Sequence, residues 1–230
     1  IIKEYPDLFP ELLLIGEPTS CQAGVAQKGC IWLKLSVSGK TSHGAEPWQG
    51  INALEQGFGL LADLSEELKR EEHPVLGHST LQITMAEGGI APNMTPDRAK
   101  FLADIRIVPP LNEKEVLNRL ECLMQKRCEV YNGGLAFVPE ITNYRMPVET
   151  GPENQWLHRL KGFIGDDAGE TGINYFTDAS ILLTAWPDSP ALLFGPGEPQ
   201  MCHKPNEYVE ISKYLEAIRV MEKFCWYIAK

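Results

Sequence analysis

A chain of 230 residues, 43% apolar and 23% charged, has material for one large or two small globular domains with cores that need no disulfide staples. Its formal charge of −10, with 21 Lys and Arg scattered rather than clustered, argues against a nucleic-acid partner. No apolar run approaches the ~20 residues of a membrane span and no signal peptide is evident, so no membrane partner is expected. The six cysteines form no Cys-x-x-Cys pair and read as free thiols of a cytoplasmic protein.

Taken in chain order, residues 11–16 (ELLLIG) form a short apolar run closed by Gly16 and Pro18, the pattern of a buried strand that ends in a loop. Residues 31–38 (IWLKLSVS) alternate with period two and predict a half-exposed strand, which the turn 39–44 (GKTSHG) breaks. Ile51, Leu54, Phe58, Leu61, Leu64 and Leu68 then recur at helical spacing. Two strands are predicted over residues 80–86 and 99–108. A helix capped by Asn112 follows to residue 127, then a strand over 136–144. The order β-α-β-β-α-β is that of the split βαβ, ferredoxin-like sandwich.

The rest is different in kind. Residues 152–163 read as helix, and 172–186 and 191–194 as strand-like pieces between loops. Residues 207–229 read as a long amphipathic helix with Val209, Ile211, Leu215, Ile218, Met221, Phe224 and Ile228 on its apolar stripe. With the first strand these pieces make parts of an α/β layer domain. The fold class is therefore α/β, with a β-α-β-β-α-β module inserted into it. The boundaries fall at residues 1–26, 27–146 and 147–230.

Several residues are suited to chemistry. Glu17 lies just past a buried strand, where α/β sheets place their sites. His203 follows another short apolar strand in the loop 195–209 (GPGEPQMCHKPNEYV), and a neutral imidazole there suits a divalent metal. Each alone is equally a solvated loop residue, and two ligands do not complete a site. Cys202 beside His203 points elsewhere along the loop and is not assigned. His43, in the 39–44 turn, has the chemistry of a general acid or oxyanion donor, or of a turn histidine with no role. Asn93 and Arg106 belong to the inserted module, and an Arg fork suits a substrate carboxylate. Asp104, two residues away on the same strand face, offers Arg106 a plain surface ion pair instead. Thr177 and Asp178 read either as substrate contacts or as a helix cap.

Read as a set, Gly16-Glu17-Pro18-Thr19, the 38–44 turn, Asn52-Ala53, Asn93-Met94-Thr95-Pro96, Asp104-Ile105-Arg106, Thr177-Asp178-Ala179 and the 195–209 loop fall in an order that resembles the M20 metallopeptidases and amino-acid deacylases. That family includes succinyl-diaminopimelate desuccinylase, acetylornithine deacetylase and glutamate carboxypeptidase. The resemblance covers nearly the whole chain. It implies an α/β catalytic domain with two zinc ions and an inserted lid domain that also makes a homodimer. By the same resemblance Glu17 is a terminal ligand on one zinc and His203 on the other. His43 reaches the partner subunit's site and polarises the scissile carbonyl. Asn93 and Arg106 hold the substrate carboxylate, with Thr177 and Gly195 lining the pocket. Glu rather than Asp at position 17 goes with deacylases and carboxypeptidases.

The family's remaining metal ligands and its general-base Glu lie upstream of the Glu17 position, and no His-x-Asp occurs in these 230 residues. The chain, which opens with Ile1-Ile2 and no Met, is accordingly read as the C-terminal part of such an enzyme. By that reading it is inactive alone and binds zinc weakly or not at all. The expected function of the intact protein is zinc-dependent hydrolysis of the amide in a small N-acyl amino acid. A carboxypeptidase or dipeptidase acting on a short peptide, or a non-catalytic dimerisation module, are the alternatives.

Overall fold

A computed structural model describes residues 2–4, 7–165 and 168–229. Its elements in chain order begin with β1 (Leu13–Ile15), β2 (Ala23–Gln27), β3 (Gly29–Ser38), α1 (Ala53–Leu68), β4 (Glu72–His73), β5 (Gly77–His78), β6 (Thr80–Gly88) and β7 (Arg98–Ile107). They continue with α2 (Glu113–Val130), β8 (Ala136–Arg145), β9 (Val148–Glu149), α3 (Gln155–Ile164), β10 (Glu170–Ile173), α4 (Ala179–Ala185), β11 (Ala191–Leu193) and α5 (Ile211–Ile228). The chain divides into two compact units. One comprises Ile1–Gly29, His73–Gly77 and Met146–Lys230, and the other Cys30–Glu72 and His78–Arg145.

The second unit is the β-α-β-β-α-β sandwich, with sheet order β6-β7-β3-β8. β6 pairs antiparallel with β7 from Thr80↔Arg106 to Gly88↔Ala99, and β3 with β8 from Cys30↔Arg145 to Ser38↔Ala136. Alternation does the sorting. Ile31, Leu33, Leu35 and Val37 of β3, with Phe101, Ala103, Ile105 and Ile107 of β7, face inward and are buried in one core. Trp32, Lys34, Asp104 and Arg106 stand on the other face. The core is closed by Leu60, Leu61, Leu64 and Leu68 of α1 and by Val116 and Leu120 of α2. Asn52 caps α1 by accepting the Leu54 and Glu55 amides, and Asn112 caps α2 in a reciprocal box with Glu115. Phe58 of the predicted apolar stripe sits at the rim instead, edge-on to Phe101 at 5.0 Å between ring centroids.

The first unit is built on a sheet of order β1-β11-β2-β10, with β9 also pairing with β2. β1 and β11 run parallel, Leu13 opposite Ala191. β2 (AGVAQ) is buried at every position and has no counterpart in the sequence reading. Covered on both faces, it needs no polar alternation, and its small residues carry little strand propensity. The 172–186 stretch, read as strand-like pieces with a capped helix at Ala179 to Leu183 also weighed, yields β10 and then the helix α4, where the Thr177 hydroxyl accepts the Ala179 amide. α3 begins at Gln155 rather than at 152, where the Asn154 side chain caps the Trp156 and Leu157 amides. α5 begins at Ile211 and buries Ala217, Val220 and Phe224. Its expected stripe residues Ile211, Leu215, Ile218 and Ile228 are exposed.

Two side chains brace this unit. His73 is buried; its Nδ1 accepts the Val75 and Leu76 amides, both at 3.2 Å. Nε2 therefore carries the proton and donates to Glu149 at 3.1 Å. The Gln27 side chain is the hub of the other brace: it accepts from Thr177 and donates to the Ser180 hydroxyl at 2.6 Å.

Candidate active site

Because β1 and β11 are parallel, the loops leaving their C-terminal ends share one rim of the sheet. Glu17 lies on the loop after β1, and Gly195 and His203 on the loop after β11. The two loops are joined by backbone bonds: the Gly195 carbonyl accepts the Thr19 amide at 3.2 Å and the Cys21 amide at 2.9 Å. The Gly195 amide donates to the Thr19 hydroxyl at 3.2 Å. A Cβ on Gly195 would stand 2.5 Å from the Glu17 carbonyl oxygen, so only glycine permits this approach. Further out, Glu198 accepts from the Ser20 hydroxyl at 2.5 Å and pairs with Lys213 near the start of α5. The Lys213 and Ser20 hydrogen bonds hold the Glu198 carboxyl below its ordinary pKa.

On this rim the Glu17 carboxylate accepts from the Tyr175 hydroxyl, 3.4 Å from Oε2. The same hydroxyl is 3.6 Å from the Cys202 sulfur, and Cys202 directly precedes His203. Burial pushes the Glu17 carboxyl above its usual range and the charge of Asp178 adds to this, while the Tyr175 bond opposes it. His203 is exposed, in a left-handed backbone conformation (φ 60°), with its amide donating to Glu207 at 3.1 Å. Glu17, Tyr175, Cys202 and the start of the His203 turn thus meet in one corner. Tyr175 was missed in the sequence, although it lies two residues before Thr177; a phenol among polar loop residues was the only signal available.

Thr177 lies beneath this corner rather than on it. It is buried, and its amide and hydroxyl both donate to Gln27 Oε1, at 3.2 and 2.5 Å. That pairing seats the loop from which Tyr175 projects.

Among the described residues, no group of three or more His, Cys, Asp or Glu side chains is placed to hold a metal ion. The donor chemistry of the corner nonetheless fits one. A carboxylate desolvated by burial and repelled by Asp178 is a setting that a divalent cation relieves. Carboxylate and imidazole are both zinc donors.

The remaining candidates lie in the second unit, at opposite ends of its sheet. At one end, His43 and Asn93 are neighbours. The Gly44 amide donates to the Asn93 carbonyl at 2.8 Å, His43 forms a β-bridge with Met94, and the Ser42 and Thr95 hydroxyls are 2.7 Å apart. His43 Nδ1 accepts the Ala45 amide at 3.1 Å, which leaves Nε2 as the N–H. Both side chains are exposed. The Gly39 amide bonds to the Asp97 carbonyl, so this end abuts the start of β7. Arg106 is at the far end of β7, roughly 30 Å away at ~3.3 Å per residue. Its Nε and Nη2 donate to the two oxygens of Asp104 at 2.6 and 2.9 Å. Asn93 and Arg106 of one chain therefore cannot hold the same carboxylate.

Residues 25–132 match the family model of the peptidase dimerisation domain, M20_dimer. The chain is 29% identical over 234 residues to an acetylornithine deacetylase of Shigella sonnei (strain Ss046), covering 96% of this chain and 58% of that protein. Among solved structures, the fold matches the aminopeptidase PepT of Bacillus cereus ATCC 10987 with a TM-score of 0.73 at 17% identity, over 95% of this chain and 57% of the other. Human carnosine dipeptidase 1 matches with a TM-score of 0.60 at 15% identity, over 97% of this chain and 62% of that one. The chain thus spans less than two thirds of the length of these relatives.

Proposed function

We propose that this chain serves the zinc-dependent hydrolysis of the amide bond in a small N-acyl amino acid, in a homodimer joined through the module of residues 27–146 and working in the cytoplasm. Residues 1–26 and 147–230 belong to the catalytic domain. The observation that carries the reading is the corner where the Glu17 carboxylate and the His203 turn meet on one rim. Glu17 is a ligand of one zinc and His203 of a second. Zinc, when bound, supplies the Lewis acid that activates water and polarises the amide carbonyl. Four ligands are usual for zinc, so these two side chains fill part of the coordination and other donors complete it.

His43 presents Nε2–H, held in that tautomer by the Ala45 amide on Nδ1, as a hydrogen-bond donor to the carbonyl oxygen where negative charge develops. Asn93 travels with His43 because their loops are bonded to each other. The ~30 Å between this pair and Arg106 supports a division of labour: His43 and Asn93 serve the site of one copy and Arg106 that of the other. Asp104 occupies the Nε–Nη2 edge of Arg106. A substrate carboxylate would compete with Asp104 for the guanidinium. Gly195 lines the pocket by its backbone, and Thr177 supports the floor.

A second reading, a dimerisation module without catalysis, is favoured by the lack of three grouped ligands among the described residues. One assay separates the readings. The intact protein is supplied with zinc and offered N-acetyl-L-ornithine, other N-acyl amino acids and dipeptides. Hydrolysis of the acyl amino acids that is abolished by a chelator and by Glu17→Gln or His203→Ala supports the proposal. Preference for dipeptides moves the assignment to a peptidase. Turnover of nothing, or turnover indifferent to both substitutions, contradicts it.

A further inference from the structure

The reading above uses Glu17 and His203 and leaves the phenol beside Glu17 and Cys202 without a task. We propose that Tyr175 is the positioning residue of this corner, one hydroxyl that selects the working oxygen of Glu17 and ties down the loop that carries His203. What the corner does rests on the proposed function; the contacts themselves do not.

The ring is launched from a fixed base. Two residues before Tyr175, the Ile173 carbonyl accepts the Lys28 amide at 2.9 Å. Two residues after it, the buried Thr177 gives both amide and hydroxyl to Gln27. Both anchors lie at the end of β2, so the loop has little freedom at the point from which Tyr175 projects. A tyrosine has few rotors, whereas a glutamate has three and samples many carboxylate positions when unrestrained.

The phenol has one proton and spare lone pairs. A carboxylate is the better acceptor, so the proton goes to Glu17 Oε2, 3.4 Å away. The oxygen then accepts from the Cys202 thiol, 3.6 Å away. The chain of donors runs from Cys202 through Tyr175 to Glu17. With Oε2 engaged by the phenol, Oε1 is the freer oxygen and would be the one offered to an ion. The Cys202 contact acts on the adjoining residue, holding the His203 turn against the same rim. Hydrogen bonds to ligating carboxylates of this kind typically affect metal affinity by ~10–100-fold.

Tyr175→Phe removes the hydroxyl and keeps the ring, and two readouts on the whole chain test it. The first is alkylation of Cys202 by iodoacetamide, followed by peptide mass spectrometry with the exposed Cys225 as internal reference. Loss of the cap should speed Cys202 by about threefold or more and leave Cys225 unchanged; an unchanged Cys202 rate overturns the inference. The second is the zinc affinity of the intact protein by competition with a chromophoric chelator, for wild type, Tyr175→Phe and Glu17→Gln. A fall of ~10-fold or more in Tyr175→Phe is expected. An affinity that falls in Glu17→Gln and not in Tyr175→Phe overturns the role of Tyr175 alone. An affinity indifferent to Glu17→Gln overturns the proposed metal site instead, and the Cys202 rate then decides the tyrosine contact by itself.

Discussion

Gly16 and Gly195 both border Glu17, and alanine at the two positions should act in opposite directions. Neither glycine has a positive φ, so alanine is permitted by the backbone at both. At each, replacing glycine restricts the unfolded chain and favours folding by ~0.4–1 kcal/mol. They differ in the room available. Around a Cβ on Gly16 nothing lies within 4 Å, whereas on Gly195 it meets the Glu17 carbonyl oxygen at 2.5 Å and its carbon at 3.2 Å. These are backbone atoms that cannot rotate away, and overpacking of this sort costs ~1–3 kcal/mol. Because the entropy term is common to both, the gap between the variants measures the overlap alone, about 1–3 kcal/mol with Gly16→Ala the more stable. Urea unfolding followed by far-UV circular dichroism, with midpoints compared at constant slope, reads that gap. A Gly195→Ala protein as stable as Gly16→Ala would refute the close approach of the two loops.

Other consequences follow from the same geometry. His73→Ala leaves the Val75 and Leu76 amides without their acceptor and should cost about 2–3 kcal/mol; a thermal melt within a degree of wild type would contradict this. In the second unit, the hydrogen bond from Arg119 holds the Glu71 carboxyl below its ordinary value of 4.5, with burial opposing. A depressed carboxyl pKa contributes stability that is complete above the unfolded value and lost as pH falls through the folded one. The stability gap between wild type and Glu71→Gln should be level from about pH 6 to about 8 and shrink below about 4.5; a gap equally large at about pH 3 would show that Arg119 does not set it. Cys21, its thiol pushed up to about 11 by burial and then by Glu216, and the buried Cys30 should resist brief alkylation at mildly alkaline pH. Exposed Cys122 and Cys225 should label first; early labelling of Cys21 would mean that its loop opens.

How far the sequence carried depends on whether a residue's environment is written into its neighbours. β3 and β7 were legible because one face of their sheet packs on helices and the other does not, so every second residue is apolar. The caps Asn52 and Asn112 were equally local. β2 was not legible: buried on both faces and made of small residues, it leaves neither alternation nor propensity. The stripe on α5 shows the reverse error, since periodicity reports that Ile211, Leu215 and Ile218 share a face but not whether anything packs on it. At the site, Glu17 and His203 could be paired because each follows an apolar strand and the strands prove parallel. Sequence order gave no hint that Asn93 and Arg106 stand at opposite ends of one sheet, nor that a tyrosine from a third loop bridges to Glu17 and Cys202. Those are facts of register and of tertiary approach.

The central claim is that Glu17 and His203 are ligands of neighbouring metal ions. A crystal of the intact protein grown with zinc, with anomalous diffraction recorded at the zinc edge, examines it directly. The account predicts two peaks within ~4 Å of each other, one at ~2.0–2.2 Å from a Glu17 carboxylate oxygen and the other at ~2.0–2.1 Å from a His203 ring nitrogen. Zinc that binds elsewhere, or that leaves both side chains uncoordinated, would contradict it.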